Sequence, residues 1–242
     1  MRSAEGERAG NLDWCVVTDL PLPAGVFWDM DGTLVDTEPY WLSAETRLVE
    51  SYGGVWSEAD GLQLLGSSLE RSAIILQSRG VDLGVDEIVS VLTDQVLEQI
   101  AVEVPWRPGA RELLKALRDA GVPTALVTMS IGRMAAKVVE AIGFDAFDAI
   151  VSGDQVSHGK PDPECYLLAA RLLGVAPRNS VAIEDSEYGV AAAFAAGMAT
   201  IAVPLHVSLP PSPSYTTWSG LVDYTPADLA AVLASRHAGA AS

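Results

Sequence analysis

Brief apolar runs alternate with amphipathic stretches over most of this chain. Val26-Phe27-Trp28 is one such run, and the stretches 123–128, 149–152, 180–183 and 199–203 repeat it. Short continuous apolar segments of this kind read as strands buried on both faces. Helical periodicity fills the intervals, over 110–120, 131–142, 163–173 and 186–196, with a last helix at 226–235. Such alternation predicts an α/β fold, a doubly wound parallel sheet with helices on both faces. One region departs from it. After the first run, a helix through about residue 52 and three more at about 57–65, 69–79 and 86–102 follow one another without a strand. One crossover needs fewer helices than that. The division expected is therefore an N-terminal extension (1–23), a Rossmann-like core (24–37 and 104–242) and a helical insertion (38–103). Thr37 reads as the N-cap of the first inserted helix, with Pro39 in its first turn. Within the extension, 1–10 reads as a flexible polar segment and 14–18 as a short extra strand; the Pro- and Ser-rich stretch 204–213 reads as a surface loop.

The first apolar run ends in chemistry. Asp29-Met30-Asp31-Gly32-Thr33 follows Trp28, so an extended chain would place two carboxylates on one face, where like charges repel unless a cation separates them. Mg²⁺ suits such a pair, because it takes oxygen ligands and leaves positions open for a phosphate. An Asp here can also act as a covalent nucleophile. Other runs end similarly. Thr128, Met129 and Ser130 open a helix, a good phosphate cradle with its free N–H groups. Glu184 and Asp185 end another run, and Lys160 precedes a helix that opens with Pro.

Composition narrows the choice of partner. The chain has 242 residues, 49% of them hydrophobic, enough for a large core. Its formal charge is −17, with 32 acidic against 15 basic residues, which disfavours nucleic acid. The two cysteines, Cys15 and Cys165, make no ligand pattern and suit a reducing compartment. The three histidines are too scattered for a His-based metal site and read as solvated. No apolar run has the length of a membrane span and no signal-peptide pattern opens the chain, so the expected location is cytoplasmic, with no membrane and no obligate protein partner.

Taken in order, these stretches resemble the four motifs of the haloacid dehalogenase superfamily, from about residue 24 to 203. The resemblance implies that 38–103 is the small α-helical cap of that family. It implies Asp29 as nucleophile, Asp31 as general acid and base, and Thr128, Met129, Ser130 and Lys160 around the phosphate. Mg²⁺ would be held by Asp29, the Asp31 backbone carbonyl and Asp185, with Glu184 as a further ligand. Where the family often has Asn, this chain has Met129. Dehalogenases of the family lack the second acid, which is present here as Asp31. Its β-phosphoglucomutases carry a His, a Lys and an Arg at positions that look like Trp41, Leu65 and Leu69. Asp36-Thr37-Glu38-Pro39 with Trp41 is similar to the family's hexose-phosphate phosphatases. The expected activity is Mg²⁺-dependent hydrolysis of a small phosphorylated metabolite, a sugar phosphate, through an aspartyl-phosphate. The alternatives are a mutase-like phosphotransferase and a non-catalytic binding module. Trp41 reads either as packing between cap and core or as a substrate-facing residue.

Overall fold

Val26, Phe27 and Trp28 form β1 (Val26–Trp28), a central strand in the computed structural model, which describes residues 20–64 and 67–240. The other strands are β2 (Thr124–Val127), β3 (Ala149–Val151), β4 (Val181–Glu184), β5 (Ala199–Ala202) and β6 (Thr216–Thr217). They pair in parallel in the order β3-β2-β1-β4-β5-β6. Trp28 stands opposite Leu126 on one side and Ile183 on the other. The two-residue alternation of strands sends Val26 and Trp28 into one hydrophobic core and Phe27 into the other. From β1 the chain steps outward to β3, then crosses back to the far side of β1 for β4. The order reverses between β1 and β4, and the crevice beyond their carboxyl ends is where such sheets bind ligands.

Between β1 and β2 come α1 (Glu38–Ser51), α2 (Glu58–Gly61), α3 (Leu69–Ser78) and α4 (Val85–Val102). α4 packs against both α1 and α3, and α2 against α1, so the insertion buries apolar surface within itself as a helical cap. The chain leaves and re-enters the core side by side. The Asp36 N–H donates to the Pro105 carbonyl at 2.7 Å, and Val35 bridges Trp106 in antiparallel fashion. α5 (Ala110–Asp119), α6 (Gly132–Ile142), α7 (Glu164–Leu173), α8 (Glu187–Ala195) and α9 (Pro226–Ala240) complete the core.

Some expectations need correction. The helix expected over 57–65 is a single turn, α2, followed by a 3₁₀ turn at Leu62–Leu64. Ser57 and Asp60 form its capping box, but Gly61 sits where a Cβ would fall 2.7 Å from the Leu42 side chain, so close packing rather than helix propagation selects that residue. Thr37 occupies the N-cap position of α1, yet its side chain caps nothing. Its hydroxyl is engaged by Asp31 instead. β6 has no counterpart in the expected elements: both its threonines are exposed, and two residues carry no readable alternation. The last helix runs on to 240. The flexible segment expected at 1–10, the strand expected at 14–18, and Cys15 and Leu65 lie outside the described residues.

Candidate active site

Past Trp28 the backbone turns instead of continuing extended. The N–H groups of Thr33, Leu34 and Val35 all donate to the Met30 carbonyl, at 3.3, 2.9 and 3.0 Å. Gly32 adopts φ +82°, and a Cβ there would stand 2.0 Å from Asp185 Oδ2. Only a glycine lets the acid after β4 come this near to the turn after β1. The buried Arg107 guanidinium pins the turn, donating to the Gly32 carbonyl at 2.5 Å and the Val203 carbonyl at 2.7 Å.

The turn separates the two carboxylates that an extended chain would have put on one face. Asp29, Glu184 and Asp185 form one group, all buried, with oxygens within 4.8 Å of one another. The carboxylate of Asp31 is not brought into it. Four donors hold that side chain elsewhere: Thr37 Oγ1 at 2.5 Å and Trp41 Nε1 at 3.2 Å on Oδ1, Ser130 Oγ at 2.7 Å and Thr128 Oγ1 at 3.2 Å on Oδ2. Lys160 lies within the first group. Its ammonium donates to Asp29 Oδ1 and Glu184 Oε1, each at 2.6 Å, and to the Val127 carbonyl at 3.0 Å. Tyr166 donates its hydroxyl to the same Glu184 oxygen, and its ring lies 5.3 Å from the ammonium. The Lys160 N–H donates to Met129 Sδ at 3.3 Å, so the residue at the family's usual Asn position holds the lysine loop.

Two buried oxygens of this group have no protein partner, Asp29 Oδ2 and Glu184 Oε2. Unmatched carboxylate oxygens beside a third buried acid are the donor set of a hard cation, and the site fits one. Without it the group is electrostatically uncomfortable. Burial, then the Glu184 charge, push the Asp29 carboxyl up to about 8 against the pull of Lys160. Burial and the charges of Asp29 and Glu184 likewise raise Asp185 well above the ordinary carboxylate range. Burial acts to strip the proton from Lys160, but Asp29 and Glu184 outweigh it and hold the ammonium above the usual lysine range.

Both groups open into one cavity between core and cap, lined also by Trp41, Leu69 and His206. Trp41 packs in the core cluster at 7% exposed, and its N–H donates to Asp31 on the cavity wall. His206 is exposed, as expected of the histidines, yet it also lines the cavity rim and reaches Asp36 Oδ1 at 2.7 Å through Nε2. Glu38 and Glu45, also on the wall, went unnoticed as site residues, although with Trp41 they recur at the i, i+3, i+7 spacing of one helix face. Tyr166 and Arg107 carry no local signal, because their partners are far away in sequence.

A sheet whose strand ends gather carboxylates, one buried lysine and a helix-opening hydroxyl loop defines a phosphoryl-transfer hydrolase. The chain belongs to the haloacid dehalogenase-like hydrolases, whose family model matches residues 23–197. It is an enzyme, a phosphoric monoester hydrolase of that family. It is 33% identical over 183 residues to a phosphorylated carbohydrates phosphatase of Thermotoga maritima, covering 75% of this chain and 85% of that protein. It is 34% identical over 185 residues to hexitol phosphatase B of Escherichia coli K12, covering 75% of this chain and 83% of that one. Among solved structures, CbbY from Rhodobacter sphaeroides in complex with xylulose-(1,5)bisphosphate superposes with a TM-score of 0.78 at 27% identity, over 86% of this chain and 99% of that one. No helix among the described residues is long and apolar enough to cross a membrane.

Proposed function

We propose that the chain is a Mg²⁺-dependent sugar-phosphate phosphatase working through an aspartyl-phosphate on Asp29. The observation that carries this reading is the state of Asp29: one oxygen fixed by Lys160 at 2.6 Å, the other buried without a partner, in a cavity that also holds Asp31. A bond from an Asp29 oxygen to phosphorus forms as the bond from phosphorus to the ester oxygen breaks. Asp31, as general acid, supplies a proton to the departing alkoxide. The same carboxylate then takes a proton from water, which attacks phosphorus and returns Asp29 and inorganic phosphate. Thr37, Trp41, Thr128 and Ser130 orient Asp31 throughout. Lys160 favours the ionised form of Asp29 against burial and Glu184, and neutralises phosphoryl oxygens. Asp29 and Asp185, with the Asp31 backbone carbonyl and Glu184 beside them, would hold Mg²⁺, which supplies further positive charge to the transferring group.

The names of the relatives support a phosphorylated carbohydrate as substrate. Isomerisation finds no support at Trp41, whose indole N–H does not titrate near neutrality and so cannot exchange protons with a sugar. Leu69 lines the cavity where the mutases carry a cation. Rapid acid quench with ³²P-labelled sugar phosphate should leave label on Asp29, and phosphate release should need Mg²⁺. Turnover after exhaustive chelation, or turnover with no labelled protein at any time point, would overturn the reading.

A further inference from the structure

Glu38, Trp41 and Glu45 line the cavity from α1, and the acids among them are unlike those on the core side. Among the described residues Glu38 has like charges as its electrostatic neighbours: burial, then Glu45, Asp31 and Asp36, push it up to about 8. Glu45 is 4% exposed and is pushed up to about 7 by burial, although Trp56 Nε1 donates to its Oε2 at 3.0 Å. Ser67, on the same wall, carries a buried hydroxyl with no partner. The basic side chains among the described lining residues are already engaged by carboxylates, Lys160 by Asp29 and Glu184, His206 by Asp36. Arg71 of α3 is not among the lining residues and lies over the Tyr188 ring. The cavity therefore has one place for a dianion, beside Lys160, and a second region that offers carboxyl and hydroxyl oxygens with no free cation.

We infer that this wall selects the leaving group: Glu38 and Glu45 accept hydrogen bonds from the hydroxyls of a neutral polyol or sugar, and leaving groups carrying a carboxylate or second phosphate are rejected. The inference rests on the phosphatase reading and adds the substrate class. A carboxyl group accepts from O–H donors through its oxygens whether or not it keeps its proton. A second anion placed beside them would be buried with no free cation to neutralise it, since the basic groups lining the cavity are already paired.

Glucitol 6-phosphate and 6-phosphogluconate test this directly, since they differ only in a terminal CH₂OH against a carboxylate. With Mg²⁺ present, kcat/KM of the wild type should favour glucitol 6-phosphate by about tenfold or more. E38Q and E45Q should each bring that ratio down toward one, and the double variant further. A wild-type ratio near one overturns the inference even if a variant fails to fold, and so does a ratio that survives both substitutions in folded protein. Hydrolysis of p-nitrophenyl phosphate but of neither sugar compound overturns the inference alone. No Mg²⁺-dependent hydrolysis of any of the three removes the phosphatase reading beneath it.

Discussion

The core side and the cap side of the cavity both carry buried acids, and they treat them in opposite ways. On the core side the acids have a cation and a donor among them: Lys160 joins Asp29 to Glu184, and Tyr166 adds a hydroxyl. On the cap side Glu38 has like charges for neighbours, and Glu45 has one indole N–H. A site that must hold a phosphoryl group in every turnover is built around a fixed ammonium, Lys160. A wall that must accept hydroxyls, and let them go, can leave its acceptors unmatched. The contrast explains how one chain can combine fixed chemistry with selective recognition.

The comparison breaks most sharply at Asp29. Asp29→Asn should lower kcat by ~10⁴-fold or more and leave the fold intact, the pattern of a residue on which a concerted unit depends. Substantial residual activity in a folded variant would mean that the core side is not the reacting side. Asp31→Asn should cost about 10²–10⁴-fold, and less for p-nitrophenyl phosphate than for an alkyl phosphate, since a good leaving group needs less protonation. Equal losses would move Asp31 from proton transfer to purely holding the site together. Gly32→Ala places a Cβ 2.0 Å from Asp185 Oδ2 and strains a φ of +82°, so it should displace that carboxylate. Titration with Mg²⁺ should show weaker apparent affinity, with activity down by about 10²-fold. Unchanged Mg²⁺ dependence would show that the core side is looser than its geometry.

The smallest effect expected is on stability and sharpens the view of the cap side. Glu38 and Glu45 have folded-state values of about 8 and about 7, above their ordinary 4.5. Between those limits the folded chain retains protons that the unfolded chain has released. Their stabilising contribution is complete below the unfolded value and is lost as pH rises through the folded values. Thermal melts should therefore show E38Q and E45Q gaining Tm over wild type at pH 9, by about 2–4 °C, with little difference at pH 5. An equal shift at both pH values would show that the wall holds no retained protons.

Much of this molecule was legible in its residues. β1, β2, β4 and β5 are local apolar runs, and Asp29, Lys160, Glu184 and Asp185 sit where those runs or a loop end. The sorting of the acids was not legible. It depends on the turn closed on the Met30 carbonyl, which swings Asp31 toward the hydroxyl that precedes the first cap helix and those of the loop after β2. Tyr166 carries no signal in the sequence, because its partner Glu184 comes from a separate element, the strand β4. Glu45 looked like a polar position on an ordinary helix, because its burial comes from packing against Trp56 and Gly61, neighbours that only the cap's tertiary structure brings near.

The side-by-side crossing at Asp36 and Pro105 gives the chain one doorway between its two parts. An insertion entering and leaving through a single doorway can be exchanged without rethreading the sheet. Its helices could diverge, lengthen or be transplanted from a relative while β1 and β2 kept their pairing. Selection for a new leaving group would then act on a replaceable part, while Asp29, Lys160, Glu184 and Asp185 stay on the core and only Thr37 and Trp41 must be kept to hold Asp31. For the protein engineer, the natural splice points are Asp36 and Trp106.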